Sequence, residues 1–574
     1  MSGGFNLVSA IHYINDCNRK GGYIVSYDDV KAFDRASVRY CDLVMTAMDF
    51  PPQFRAWVRM LHSGANTQLL AGSSGLTRSI QVTFSLRQGD GLSMPLYCIQ
   101  REPFLRRIAT LLTGLRIGRN PVVSYQEIDE DFCDDTNIVS SDLDDITKFD
   151  VEMKKYEAQS GSMLSRSKKC KIFFLGSWRG RQEAPLPWLK VVEELRVFGL
   201  ILTPEYKTTL SKTWQETFRG FQKTIFSWKQ RNFDSMYQRV EAVRTFALSK
   251  LWYVSQILPL PPKFASKIES LTSSFLFKGK TERLELMELC LPPERGVLSL
   301  PEIRSRADAL RLKHLCRMLE QRECGAYRHL CYWQASSLQM YTNVPEMMNL
   351  APVYHGRLPA FFQHAEGLLL EGFLFFQVLP RELDMVTTKE LYKSFTTDLP
   401  DTKITNKFVT INFPAVVWPR LAFTVLEPAV RQLVFDLVHS LVRNRVRLYQ
   451  QGRVEDPWCH VCPEVAGQRP HQNTVHIFTS CCLVRQPWEY VKALVRTHQP
   501  GGELLTVEEL VTFTFPAQHQ DREVVWILAN FFSMVWSECG LRGRELKVAG
   551  VRGMLQSRLR SVRLRKVGTI LVQL

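Results

Sequence analysis

Three aspartates and a cluster of cysteines and histidines are the residues whose types and spacing can do chemistry. Asp28 closes the apolar run Gly22-Tyr23-Ile24-Val25-Ser26-Tyr27, which reads as a buried strand delivering a carboxylate at its C-terminal end. Asp134 and Asp135 end the stretch Phe132-Cys133-Asp134-Asp135. Adjacent aspartates alone usually mark a solvated turn, so their company decides the matter. Between them and Asp28 lies Leu86-Arg87-Gln88-Gly89-Asp90-Gly91-Leu92-Ser93, a polar glycine-bearing loop that leads into an apolar helix. One carboxylate at a strand end and two on a tight hairpin can converge on two divalent cations about 3.5–4 Å apart. That arrangement clamps the attacking and leaving oxygens of an in-line phosphoryl displacement. Mg2+ is the expected ion, because a few carboxylates with substrate phosphates and water complete its octahedral shell. A calcium loop does not fit, since the acidic stretch lacks the required glycine and alternating ligands.

A second set stands apart. Cys459-His460-Val461-Cys462 is followed by His476 and Cys481, four ligands that suffice for a closed tetrahedral Zn2+ site. Cys482 competes for the fourth place, and His460 or His471 for the third. Four protein ligands leave no open position, so the role is structural or nucleic-acid-binding and not hydrolytic. The bland alternative is a chance grouping of idle thiols.

The elements that must position the aspartates follow from periodicity. Leu7, Val8, Ile11 and Ile14 share a helical face, and Gly21-Gly22 ends that helix before the Asp28 strand. Pro51-Pro52 opens a helix carrying Phe54, Trp57, Val58 and Leu61. Strands are expected at 67–70 and 80–83, then a helix from Ser93 that bends near Pro103 and reaches about Leu112. The approach to the acidic hairpin, Gln126-Glu127-Ile128-Asp129-Glu130-Asp131, is unusually charged. Burying such carboxylates unpaired costs several kcal/mol each, so this strand is expected to be exposed or distorted. The order of elements is that of an α+β domain. Helices dominate afterwards. One spans 239–253 before a stop at Pro259-Leu260-Pro261-Pro262, and a long one carries Val430, Leu433, Val434, Leu437, Val438 and Leu441, with Arg443, Arg445 and Arg447 towards its end. The tail 541–574 sets nine Lys and Arg against the single acid Glu545; such a helix can track phosphates, the first expectation here, lie on an anionic membrane surface, or be a solvated face.

At 574 residues several domains are expected. The formal charge of +16 points to a polyanionic partner, nucleic acid first. Fourteen cysteines do not make a dense disulfide framework in a chain of this size, and no secretory signal opens it, so the thiols are read as reduced and intracellular. The most membrane-like stretch, 361–380, carries His364, Glu366 and Glu371 and cannot span a bilayer as an uninterrupted apolar run.

In order and spacing, these stretches resemble the palm of non-LTR (LINE-type) retrotransposon reverse transcriptases. Asp28-Asp29-Val30-Lys31-Ala32-Phe33-Asp34 resembles the first palm motif, and 87–94 the second, with Gly91 and Met94 where the family has prolines. Phe132-Cys133-Asp134-Asp135 resembles the third, with Cys133 for alanine. Residues 160–168 resemble the next motif, with Ser165 for asparagine, and Val197-Phe198-Gly199-Leu200 resembles the short strand that ends the palm. The cysteine cluster, with Trp488 shortly after it, resembles the family's C-terminal Cys-Cys-His-Cys knuckle.

The resemblance implies a reverse-transcriptase palm over 1–205, a helical thumb and linker over 206–320 and a poorly defined connection over 321–429. A helix with the zinc knuckle would follow over 430–500, and a basic helical tail over 501–574. It implies that Asp28, Asp134 and Asp135 hold catalytic Mg2+ and that Phe33 blocks a ribonucleotide 2′-hydroxyl. Gln88 and Lys168 would contact nucleotide or template. The implied partners are an RNA template, a DNA primer and deoxynucleoside triphosphates, without a membrane, in the nucleus or cytoplasm. Few finger residues and no endonuclease precede Tyr23, so an N-terminally truncated chain is expected, whether a fragment, a truncated copy or an incomplete gene model. The alternative is a retrotransposon-derived nucleic-acid-binding protein without catalysis.

Overall fold

The computed structural model describes residues 2–16, 21–62, 64, 66–70, 75–82, 85–87, 89–117, 125–132, 135–166, 169–278, 286–290, 298–320, 325–338, 358–376, 385–396, 426–439, 441–497, 507–513, 521–540 and 542–561. The chain forms two compact units. One comprises residues 1–217, 252–260 and 307–394, and the other 218–251, 261–306 and 395–574.

The first unit is organised by a five-stranded sheet. Its strands are β1 (Gly22–Asp28), β2 (Asp129–Phe132), β3 (Asp135–Ser140), β4 (Lys171–Leu175) and β5 (Lys190–Val191), in the order β2-β3-β1-β4-β5. β1 lies antiparallel between β3 and β4, β2 and β3 form the acidic hairpin, and β4 and β5 run parallel. Successive side chains of a strand alternate between faces. Tyr23, Val25 and Tyr27 therefore enter a core with Phe104 and Ile108 from helix α1 (Ser93–Leu111) and with Ile146, Phe149 and Met153 from helix α2 (Asp144–Ser160). Ser26 and Asp28 fall on the opposite face. α2 stops at Ser160 because Gly161, at φ 80°, supplies the left-handed turn that β-carbon-bearing residues resist.

The N-terminal helix Ser2–Asp16 and the strand ending in Asp28 form as the periodicity predicts. Other expectations need correction. Among the described residues, the strands near 67–70 and 80–83 are reduced to Asn66–Thr67 and Ile80–Gln81, with Thr83 outside those residues. The apolar segment around 197–200 is a hairpin, Leu195–Val197 against Leu200–Leu202, and not one strand. Phe198 and Gly199 both take positive φ, 49° and 71°, the geometry a two-residue hairpin turn requires. In the helix from Pro52 to His62, Val58 is buried while Trp57 and Leu61 are exposed.

In the second unit, helices Pro428–Val438, Arg485–Thr497, Asp521–Val535 and Val548–Ser561 share one core. The helix that begins at Pro428 ends at Val438, short of the expected Leu441 and of the three arginines. Asn444 starts a separate helix, Arg445–Gln450, by accepting a hydrogen bond from the Arg447 N–H at 2.9 Å. The basic tail is not a surface segment throughout: Val551, Leu555 and Leu559 are buried in the core. No described helix is long and apolar enough to cross a membrane.

Candidate catalytic face and metal centre

Strand register brings the first carboxylates together. Asp28 stands directly opposite Asp135, with Ser26 opposite Asn137 and Ile24 opposite Val139. Directly opposed residues of an antiparallel pair hold their β-carbons about 4.5–5.5 Å apart, and like charges there repel. A cation belongs between them. On the Asp28 side Lys169 sets its ammonium close by, with Nζ 2.9 Å from Asp28 Oδ2. Asp28 is partly exposed and Asp135 is open to solvent, so the face is accessible. A donor set of two carboxylates on an open face fits a hard divalent cation. Asp134, Gln88 and Lys168 lie outside the described residues.

The loop after α2 is stitched along the end of β1. The Val30 N–H donates to Met163 O and the Ser165 N–H to Asp28 O, both at 2.8 Å. That pairing is what delivers Lys169. Phe33 follows Lys31, whose φ of 48° and ψ of 56° turn the chain sharply after the strand. The Phe33 carbonyl accepts the Leu86 N–H at 2.8 Å, and its half-buried ring packs on Tyr97 with centroids 5.2 Å apart. The first and second motifs therefore meet at Phe33.

Beneath this face lies a polar network that motif reading missed. The Arg101 guanidinium donates to Asp29 Oδ2 through one amino group and to Thr136 Oγ1 through the other. The Tyr97 hydroxyl donates to Asp29 Oδ2 at 2.6 Å. Burial first, and then the Asp29 charge, push the Tyr97 phenol upward, so it remains a donor. The signal was present in the sequence: Leu96, Tyr97, Gln100, Arg101, Phe104 and Ile108 form the buried face of α1. A lone cation on such a face requires a buried anion, and Asp29 is that anion.

The charged approach to the hairpin is distorted, as expected from its carboxylates. The strand breaks at Ile128 between Tyr125–Glu127 and β2, and Glu127 is buried but paired. Its Oε2 lies 2.5 Å from Nε2 of His329, itself fully buried on the helix Gly325–Leu338.

The cysteine cluster is assembled as its spacing predicts. The ligand atoms of Cys459, Cys462, His476 and Cys481 all lie within 4.8 Å of one another, and all four residues are buried. Cys462 Sγ is 3.8 Å from Cys481 Sγ and 3.5 Å from His476 Nε2. Tetrahedral Zn2+ with bonds of about 2.3 Å to sulfur and about 2.0–2.1 Å to nitrogen sets edges of about 3.8 and 3.5 Å, which these distances match. A sulfur separation of 3.8 Å is far beyond a disulfide bond. The rivals are placed elsewhere. Cys482 is exposed with its Sγ 3.6 Å from Val461 O, although its N–H donates to Cys462 Sγ at 3.3 Å. His460 bonds Asp456, and the His471 ring packs edge-on against Trp458.

Burial lowers the His476 pKa, keeping the imidazole neutral and ready to coordinate. Burial, then the neighbouring thiols, raise that of Cys481, so ionising it as a ligand requires a metal cation. The cluster is continuous with the core of the second unit. Cys459, Cys462 and Cys481 pack among the same residues as Trp488, Phe531 and Phe532, and Trp488 stacks on both phenylalanines.

No family model matches the chain. A Xenopus laevis protein described as the transposon TX1 uncharacterized 149 kDa protein is 27% identical over 309 residues, which is 51% of this chain and 22% of that protein. The chain thus spans about a fifth of the length of the curated relative it matches. A structure of telomerase from Candida albicans with a TWJ fragment of telomeric RNA covers 56% of this chain and 51% of its own, at a TM-score of 0.26 and 9% identity. At that score the likeness carries no argument about fold or function.

Proposed function

We propose that this chain carries an RNA-directed DNA polymerase of the non-LTR retrotransposon type, with Asp28, Asp134 and Asp135 as the carboxylates that hold catalytic Mg2+. The observation that supports this best is the register placing Asp28 opposite Asp135 on an accessible sheet face. The similarity to a transposon protein supports an origin in a mobile element. When bound there, Mg2+ supplies charge neutralisation at the phosphates during attack by a primer 3′-hydroxyl. The chain's own part is positioning. The sheet fixes the carboxylates, Lys169 adds positive charge beside Asp28, and Phe33, held by Leu86 and Tyr97, presents a ring that excludes a 2′-hydroxyl. Gln88 and Lys168 contact the nucleotide or template in this reading. The partners are an RNA template, a DNA primer and deoxynucleoside triphosphates, and Zn2+ in the second unit is structural.

The test is deoxynucleotide incorporation by the full chain on a primed RNA template. Synthesis that requires Mg2+ and stops on chelation supports the reading; no incorporation at any Mg2+ concentration contradicts it. A second reading, nucleic-acid binding without catalysis, draws on Lys169, whose ammonium already neutralises Asp28, and on the net charge of +16. Salt-dependent RNA binding without incorporation is its signature.

A further inference from the structure

Arg101 and Asp29 are each 1% exposed. A buried ion pair is a weak source of stability, since well-packed apolar side chains of similar volume often do as well or better. What an arginine fork does supply is direction: two donor groups fixed in one plane. Here one amino group reaches Asp29 and the other reaches Thr136. Asp29 follows Asp28 on the chain and Thr136 follows Asp135, the two residues that oppose each other on the accessible face. Because neighbouring strand residues point to opposite faces, the fork grips the underside of both carriers, one residue from each carboxylate. Tyr97, one turn earlier on the same helix, adds its hydroxyl to Asp29 and its ring to Phe33.

We infer that Arg101, with Thr136 and Tyr97, is a positioning device that sets the separation of the Asp28 and Asp135 carboxylates for a divalent cation. This rests on the polymerase reading only for its kinetic arm, since cation binding can be measured without turnover. The helix that follows the second motif thereby becomes a brace between the strand ends of the first and third.

Thr136→Val is the sharpest test, because it keeps the buried shape, leaves the Arg101–Asp29 pair in place and removes only the link to β3. Mn2+ serves as the probe, titrated by calorimetry into the full chain after saturation with Zn2+. The component lost in Asp28→Asn is taken as the site. Outer partners of metal ligands are commonly worth about 10–100-fold in affinity or activity. Thr136→Val should weaken Mn2+ about tenfold and lower kcat similarly while KM for deoxynucleotide moves less than about twofold, and Thr136→Ser should restore both. Tyr97→Phe, which keeps the ring on Phe33, should weaken Mn2+ about threefold, a smaller effect of the same kind, and serves if Thr136→Val does not fold. Wild-type Mn2+ affinity in a folded variant of either kind overturns the inference. Weakened Mn2+ binding in a chain that extends no primer keeps the brace and removes the polymerase; normal binding in a chain that extends primers does the reverse. A wild-type chain without the Asp28-dependent component overturns the brace outright.

Discussion

The carboxylate face and the cysteine cluster are built by different routes. Cys459, Cys462, His476 and Cys481 come from one short stretch and are sealed in a core with Phe478 and Trp488. Asp28 and Asp135 come from strands far apart in sequence, stand on an accessible face, and meet only because β1 and β3 pair in one register. A one-residue slip would turn either carboxylate to the opposite face. The first site therefore depends on sheet assembly and on what braces it from below, and the second on local spacing and a metal. Damage to each should register in a different observable.

The largest effect is expected at the cysteines. Metal binding to a structural zinc site carries about 10–16 kcal/mol of apparent free energy in zinc-finger peptides, and here three of the ligands are core residues. Cys462→Ser should lose Zn2+ and expose the second unit to proteolysis across 426–561, since the same core includes Trp526, Phe531 and Leu555. Metal content by mass spectrometry and limited proteolysis check this. Cleavage confined to the 459–481 loop would show the knuckle to be separable from the core.

Next comes the buried His329–Glu127 pair in the first unit, which ties a late helix to the strand before the acidic hairpin. Removing one partner of a buried pair costs about 3–5 kcal/mol. His329→Ala should lower the thermal midpoint of the first unit and leave bound Zn2+ unchanged. Equal midpoints would show the pair to be energetically idle.

Acid should act on the first unit through His314, whose pKa burial depresses from 6.5 to about 4. The imidazole stays neutral in the fold while the unfolded chain takes up a proton below pH 6.5. Its contribution is therefore complete above 6.5 and is lost as pH falls towards 4, by on the order of 3 kcal/mol. Denaturant unfolding at pH 7 and pH 5, with His314→Gln beside wild type, measures it; an equal pH slope in both would place the titration elsewhere. The smallest effect is the one on specificity. Phe33→Ala should raise ribonucleotide over deoxynucleotide use, and a hydroxyl-sized steric difference is worth about 1–3 kcal/mol, or 10–200-fold. An unchanged ratio with measurable synthesis would leave Phe33 as packing against Tyr97.

How much of this was legible follows the same division. The Cys3His cluster could be read from spacing, because four ligands for a tetrahedral metal on a short loop need little else. The rivals Cys482, His460 and His471 could not be dismissed without knowing that Asp456 and Trp458 engage the two histidines. The strand that ends in Asp28 was legible from its apolar run, but the pairing with Asp135 was not, since register is a property of two strands. The fork of Arg101 was hidden for the same reason: its partners lie on two strands of the sheet. Lys169, adjacent to the residue the motif pointed to, contacts Asp28 through a loop pairing that spacing cannot resolve. The basic tail misled because charge masked its apolar face. Deleting 541–574 would strip Val551, Leu555 and Leu559 from the core, so the proposal that this tail binds RNA is better tested by replacing exposed Arg552, beside the buried Val551.

The most direct measurement is deoxynucleotide incorporation on a primed RNA template by wild type, Asp28→Asn and Asp135→Asn, with Zn2+ content and thermal midpoint recorded for each. If these carboxylates hold the catalytic cation, each substitution should lower the rate on the order of a thousandfold, about 4 kcal/mol, while Zn2+ content stays at the wild-type level. Wild-type incorporation by either folded variant would contradict the assignment of the carboxylate face.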